Sequence, residues 1–277
     1  MGSSTFVFIP STWKEAVRMV KTGKIAVIVE EEGDSIRYHF DPLNPESQLT
    51  YIQLSGIFKN PDIKTNPDVA AIEPLDVKGT RYIDFLIPGL IAMNVMMSCM
   101  WGISYTMINR RSRKLLRRMV ATPMKKSNFM IAITTARLAL NIVEAVILIV
   151  FANLYFDITI QGSLPALILI YIAGNILFSG LGILISSRTS NTEIGNGLIN
   201  AITMPMMVLS GIFFSYHNFP DWAIAIIKKL PLSMMADGIR SIFIEGAGLT
   251  EVIIPALALA GGGFLLMGIG VRVYRWY

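Results

Sequence analysis

The sequence predicts an all-α polytopic membrane protein, and three observations carry that prediction. Of its 277 residues 53% are apolar and only 16% charged, whereas soluble domains hold about a quarter charged residues. Five apolar runs, at roughly 83–108, 129–152, 164–185, 196–214 and 250–271, are each long enough to cross a hydrocarbon core, which takes about 20 helical residues. A basic loop follows the first run. Residues 85–108 carry no charge, and residues 109–126 then carry eight cations (Arg110, Arg111, Arg113, Lys114, Arg117, Arg118, Lys125, Lys126) and no anion.

The five runs must be helices, because backbone groups cannot stay unpaired in lipid. They also lack the alternation of a membrane barrel. Pro88 falls early in its span, where a missing N–H costs little. Pro205 falls mid-span and should kink or break its helix. Segment 215–249 is apolar in part but interrupted by Pro220, Lys228, Lys229 and Pro231. It reads as a pair of short re-entrant or interfacial helices at the outer surface, with Trp222 as an interface anchor.

Orientation follows from the cations, since positive loops stay in the cytoplasm. Placing 109–126 inside puts residues 1–82, 153–163 and 215–249 outside, and 186–195 and the C-terminal tail inside. Arg272 and Arg275 in that tail agree. The net charge of +5 is not spread as nucleic-acid binding would require: residues 1–82 hold 9 cations against 11 anions, and the excess flanks an apolar run. The expected location is the cytoplasmic membrane, with lipid and not nucleic acid as surroundings.

Two domains are expected: a polar extracytoplasmic domain at 1–82, a small α/β remnant, and a transmembrane domain at 83–277. Nothing in "STFVFIP" is long enough to export the first. The chain therefore reads as lacking a first span, the alternative being that the domain crosses as the tail of the first visible span. Cys99, the single cysteine, excludes an intrachain disulfide.

Within the basic loop, Leu115, Leu116, Met119 and Val120 fall on one side of a helical wheel, and Arg113, Lys114, Arg117 and Arg118 on the other. This predicts an amphipathic helix of two to three turns ending at Thr122–Pro123, because the residue before proline avoids the helical region. Such a helix could lie on anionic lipid or dock a cytoplasmic partner.

An ordered series of segments resembles the ABC-2-type permease family, the membrane subunits of type V ABC exporters. "YIDFLIPGLIAMNVM" resembles the family's entry into its second span, and "RKLLRRMVATPMKKSNFM" its coupling-helix loop. "GLGILISSRTSN" resembles the end of the fourth span. "PMMVLSGIFFSYHNFPDW" and "KKLPLSMMADGIRSIFIEG" resemble the fifth span and the outer re-entrant helices. "EEEGDSIRYHFDPLNPESQ" is similar to the outer domain of drug-export members. One departure is that the loop is all cationic where the family commonly has a glycine and acidic residues.

The resemblance implies six spans, of which this chain shows the last five. It also implies a dimer of permease subunits, homo- or heteromeric, working with a dimer of ABC ATPase subunits that hold the ATP and magnesium. Arg113, Lys114, Leu115, Leu116, Arg117, Arg118, Met119, Val120, Thr122 and Pro123 would contact the ATPase. The chain itself has no phosphate-cradling G-x-x-x-x-G-K-[ST]; "TGKIA" at 22–26 lacks the first glycine and the hydroxyl residue. No cofactor and no metal are therefore expected in it, and no enzymatic activity of its own. The implied function is export of a hydrophobic or amphipathic small molecule of the multidrug or antibiotic type. Export of a lipid-linked polysaccharide is an alternative, as is a non-ABC channel or receptor.

Arg137 and Glu144 are the charges in the interior of a predicted span, seven residues apart on one face. Arg137 is expected to snorkel to the inner interface, while Glu144 reads as a pathway or partner-helix residue. Met93, Met96, Met97, Met100, Met204, Met206 and Met207 read as packing residues before they read as an adaptable apolar route. Ala258 and Gly262, with the glycines at 261–263, suggest close helix approach. His39 and His217 show no metal-ligand spacing and Cys99 no neighbouring base, so a membrane-embedded hydrolase is a poor second class. Asp41 and Asn44 read as turn formers.

Overall fold

Apolar runs become helices in the computed structural model of the chain, which describes residues 6–32, 35–58, 71–75, 79–115, 126–189 and 191–274. The chain divides between Tyr82 and Ile83 into two compact units.

The N-terminal unit holds α1 (Trp13–Lys21), β1 (Ile28–Glu32), β2 (Ser35–Phe40), α2 (Pro45–Phe58) and β3 (Ala71–Pro74). Glu15 starts α1 by accepting from the Thr12 backbone N–H at 3.2 Å and hydroxyl at 3.0 Å, the acidic half of a capping box. β1 and β2 form an antiparallel hairpin with Val29 opposite Tyr38. β3 lies parallel to β2, Tyr38 opposite Ile72, so α2 is carried in the connection that a parallel pair needs. Tyr38, Phe40 and Leu54 form one small core, and Ala16, Ile28 and Leu75 another. The turn reading of "DPLNP" is borne out: Asp41 Oδ1 accepts from the Leu43 N–H at 2.9 Å, and Asn44 Oδ1 from the Glu46 N–H at 3.0 Å.

The C-terminal unit is helical. α3 (Tyr82–Ser112) contains a π-helical stretch at Met100–Tyr105. It is followed by α4 (Lys126–Phe156), α5 (Leu164–Ser186), α6 (Thr192–Leu209), α7 (Asp221–Ile227), α8 (Pro231–Ile244) and α9 (Leu249–Val273). Among the described residues four helices, α3, α4, α5 and α9, are long and apolar enough to cross a membrane. The remaining predicted span, 196–214, does form a helix, α6, but Thr192, Glu193, Asn196 and Asn200 make its first half polar. It also stops short of 214, at a turn where Gly211 takes φ +70°. Pro205 does not break it. The predicted pair of outer short helices corresponds to α7 and α8.

α3 and α5 are the inner helices, and α4 and α9 are peripheral. The outward face of α4, including Val143, Ile147, Val150 and Leu154, is apolar and exposed, as a lipid-facing surface requires. α9 meets α5 backbone to backbone. A Cβ on Gly263 would lie 2.6 Å from the Leu177 nitrogen, and one on Gly180 2.5 Å from the Gly263 oxygen. Close approach at the triple glycine is therefore borne out, but its contact residue is Gly263, with Gly270 two turns on. Ala258 is exposed: the expected Ala258–Gly262 stripe is rotated off the contact by one position. Met96 and Met100 are fully buried and Met206 nearly so, which makes them core residues, whereas Met204 faces outward.

Candidate functional site

α4 carries two charges, Arg137 and Glu144, well inside its span. Arg137, Asn141 and Glu144 are spaced by four and three residues and so share one helix face. α3 runs antiparallel beside it, and its Asn94, Ser98 and Gly102 repeat every four residues. Three contacts set the register. Asn94 Nδ2 donates to Glu144 Oε2 at 3.1 Å, and the Ser98 hydroxyl donates to Asn141 Oδ1. The Arg137 guanidinium lies so close to Gly102 that a Cβ there would sit 2.5 Å from Cζ.

Asn141 extends this stripe to the third helix. Its Nδ2 donates to Asn175 Oδ1 at 2.6 Å and approaches Cys99 Sγ at 3.4 Å. Asn175 in turn donates to the Tyr171 carbonyl at 2.9 Å, and the Tyr171 hydroxyl donates back to the Asn141 carbonyl. Both asparagines are buried. An amide without partners would be costly there, so the two side chains satisfy one another across α4 and α5. The π-helical stretch of α3 lies alongside this network. Such bulges often mark functional sites, and this one places Gly102 beneath Arg137 while the Ser104 hydroxyl donates to the Gly182 carbonyl at 2.9 Å.

These contacts correct the expectation for Arg137. Its guanidinium occupies the slot left by Gly102 within the span, not a position at the helix end. Glu144 lies on the exposed side of the stripe, where its described partner is Asn94.

Two further arginines hold the ends of the bundle. Arg111 Nη1 donates to the carbonyls of Ser186 and Thr189 at 2.7 and 2.8 Å, and Nη2 to that of Ser187 at 2.9 Å. Its guanidinium lies 4.4 Å from the centre of the Tyr274 ring. A cation here answers the orphan carbonyls and negative dipole at the C-terminus of α5. At the other end Arg240 donates to the carbonyls of Gly211 at 2.7 Å and Phe85 at 3.2 Å, and to Asp237 Oδ1 at 3.3 Å. It stacks 3.7 Å from the Phe85 ring centre. Burial pushes its guanidinium pKa down from the ordinary value, and Asp237 opposes that shift.

The Arg111 contacts gather the C-termini of α3, α5 and α9 at one end of the bundle. Arg110, Arg113, Lys114, Arg188 and Arg272 belong to the same segments.

Of the predicted coupling residues, Leu116, Arg117, Arg118, Met119, Val120, Thr122 and Pro123 lie outside the described residues. Arg113, Lys114 and Leu115 are exposed. α3 ends at Ser112, and Lys114 takes a left-handed φ of 57°. Arg113 and Lys114 therefore form the turn leaving α3, where the sequence places the start of an amphipathic helix. His39 accompanies Glu30 Oε2 at 2.9 Å in the N-terminal unit, and His217 belongs to the other unit.

Sequence reasoning found Arg137 and Glu144 but missed Asn94, Asn141 and Asn175. The available signal was a lone asparagine in each of three apolar runs, one of them at helical spacing between the two charges.

A profile of the family described as ABC-2 type transporter matches residues 49–244. The chain is 26% identical over 202 residues to ABC transporter G family member 20 of Dictyostelium discoideum, covering 71% of this chain and 26% of that protein. It is 24% identical over 168 residues to the probable multidrug ABC transporter permease YbhR of Escherichia coli (strain K12), covering 61% and 46%. It is 23% identical over 210 residues to the probable multidrug ABC transporter permease YbhS of the same strain, covering 71% and 55%. The chain thus spans about half or less of the length of these relatives. With a family match from α2 through α8 and four helices able to cross a membrane, the chain is a multi-pass membrane protein that belongs to the ABC-2 type transporter family.

Proposed function

We propose that the chain is the permease part of an ATP-driven exporter that moves a hydrophobic or amphipathic small molecule across the cytoplasmic membrane. The observation that carries this reading is the family match over residues 49–244, which takes in three of the four candidate spans and the outer helices. Two of the relatives are described as multidrug permeases, which favours a small apolar cargo over a polysaccharide.

In this reading ATP is hydrolysed by separate ABC subunits, and two permease chains enclose the route. The basic loop after α3 receives the motion of the ATPases, and Arg113–Val120 with Thr122–Pro123 form the contact. The basic end of the bundle, where Arg111 joins α3, α5 and α9, faces the cytoplasm, and residues 1–82 lie outside. The inner helices α3 and α5, held to α4 by the Asn141–Asn175 network, move as one block, and α8 is tied to them through Arg240.

The test is reconstitution of the complete transporter in proteoliposomes with a fluorescent amphiphile. ATP-dependent movement of the dye that stops when ATP is replaced by a non-hydrolysable analogue supports the reading. Movement indifferent to ATP would make the protein a channel and overturn it.

A further inference from the structure

Glu144 lies 12 residues from the end of α4 at Phe156 and 16 from Asn128, so about 18 and 24 Å of helix separate it from the two ends. Its carboxylate therefore sits near the middle of the span. Charges at that depth are rare and are normally answered by an opposite charge, a polar cavity or a ligand. Among the described residues Glu144 has Asn94 Nδ2 at 3.1 Å as its partner, a neutral hydrogen-bond donor and not a counter-charge. Arg137 cannot neutralise it. Two helical turns, about 10 Å along the axis, separate them, and the Arg137 guanidinium is committed to the slot at Gly102. The surface around Glu144 is apolar, with Leu140, Val143 and Ile147 all exposed. A single negative charge with one hydrogen-bonding amide, set in an apolar surface at mid-membrane depth, complements a molecule with a positive centre and an apolar body.

We propose that Glu144, oriented by Asn94, is a recognition site for lipophilic organic cations, and that the transporter's cargo is of that class. The inference rests on the permease reading above. Glu144 supplies the charge attraction, which is strong where water is scarce, and the flanking aliphatic side chains supply contact area. Asn94 holds one carboxylate oxygen and leaves the other for the ligand. A helix from a neighbouring chain bearing a basic residue is the competing occupant.

Tetraphenylphosphonium and tetraphenylborate have the same shape and opposite charge, so they separate charge recognition from apolar partitioning. Binding of each to the purified chain in phosphatidylcholine nanodiscs, corrected for empty discs, should differ between variants. Glu144→Gln keeps the size and the hydrogen bond to Asn94 and should weaken tetraphenylphosphonium binding about tenfold, the loss of about 1.4 kcal/mol of charge attraction. Glu144→Asp should retain most of it, and tetraphenylborate binding should be the same in all three proteins. Equal tetraphenylphosphonium affinity in wild type and Glu144→Gln overturns the proposal. So does a parallel loss for tetraphenylborate. Loss of self-association in Glu144→Gln with unchanged tetraphenylphosphonium affinity overturns it in favour of a helix contact. In proteoliposomes of the complete transporter, ATP-driven movement of neutral Nile red but not of ethidium would overturn the cation inference and leave the permease reading intact. If neither dye moves with ATP the permease reading fails, and the binding measurement still decides the role of Glu144.

Discussion

Asn141 Nδ2 donates to Asn175 Oδ1 at 2.6 Å, joining the peripheral helix α4 to the inner helix α5 at positions buried from all sides. The same Asn141 accepts from Ser98 on α3. One side chain thus sets the register of three helices. In lipid, where no hydrophobic force distinguishes one helix from another, such bonds and close packing hold helices together.

Replacing Asn141 with leucine therefore leaves Asn175 Oδ1 and the Ser98 hydroxyl without their partner in an apolar interior. Interhelical hydrogen bonds in membranes are worth about 0.6 kcal/mol each and up to about 1.7. The expected loss in unfolding free energy is about 1–2 kcal/mol, read from denaturant or steric-trap unfolding in bicelles. The double variant Asn141→Leu/Asn175→Leu should cost less than the sum of the single variants, because two satisfied amides are removed together.

Cysteine accessibility tests the orientation. The native Cys99 is fully buried, so the background to a membrane-impermeant maleimide is silent. A cysteine placed at Asn218 should label in intact cells, and one at Ser112 should label only after permeabilisation. Labelling of position 112 from outside would overturn the proposed orientation.

Arg111 donates three hydrogen bonds to a cluster of three carbonyls, and lysine cannot reproduce that planar fork. Arg111→Lys should lower the apparent melting temperature, and Arg111→Gln should lower it further, since a neutral amide also loses the dipole contribution of about 0.3–1 kcal/mol. The measurement is thermal aggregation of detergent-purified protein. Equal melting of all three would show that the carbonyls of Ser186, Ser187 and Thr189 find water without cost.

Gly263 has no room for a side chain. A Cβ would lie 2.6 Å from a backbone nitrogen and 2.7 Å from a backbone carbon of α5, and backbone cannot yield as a flexible side chain can. Gly263→Ala should destabilise by about 1–3 kcal/mol, the ordinary cost of overpacking. Gly261→Ala, with nothing within 4 Å of its Cβ, should be neutral or slightly stabilising.

Much of the architecture was legible in the sequence because lipid imposes simple rules. Length and apolarity located α3, α4, α5 and α9 within a few residues, and prolines with lysines separated α7 from α8. Individual contacts were not legible. Arg137 carries the composition of a snorkelling residue, and only the slot at Gly102, opened within a π-helical stretch, reveals its position. Likewise 261–263 announced close packing, but which glycine faces α5 depends on helix rotation, and a shift of one residue turns the contact by about 100°. Asn141 and Asn175 are each unremarkable alone. Their meaning comes from being paired across a distance of 34 residues, which no local pattern encodes.

The loop after α3 separates coupling from lipid anchoring, and its charges cannot decide between them: removing cations weakens both a protein contact and a hold on anionic lipid. The apolar side can decide. A cleft in an ATPase subunit needs shaped contacts from Leu116 and Val120, and disturbing a well-packed contact costs about 1–3 kcal/mol on overpacking and about 2–5 on truncation. Fluid acyl chains accept any shape provided the apolar area is kept. Exchanging Leu116→Phe together with Val120→Leu preserves hydrophobicity and changes shape. If the helix docks in a cleft, the double variant should lose most of its substrate-stimulated ATPase activity in the complete transporter, with membrane insertion and protein level unchanged. If stimulated ATPase activity and transport both persist, while removal of Arg117 and Arg118 alone frees the loop from anionic vesicles, the segment is a lipid anchor and motion must reach the spans by another route.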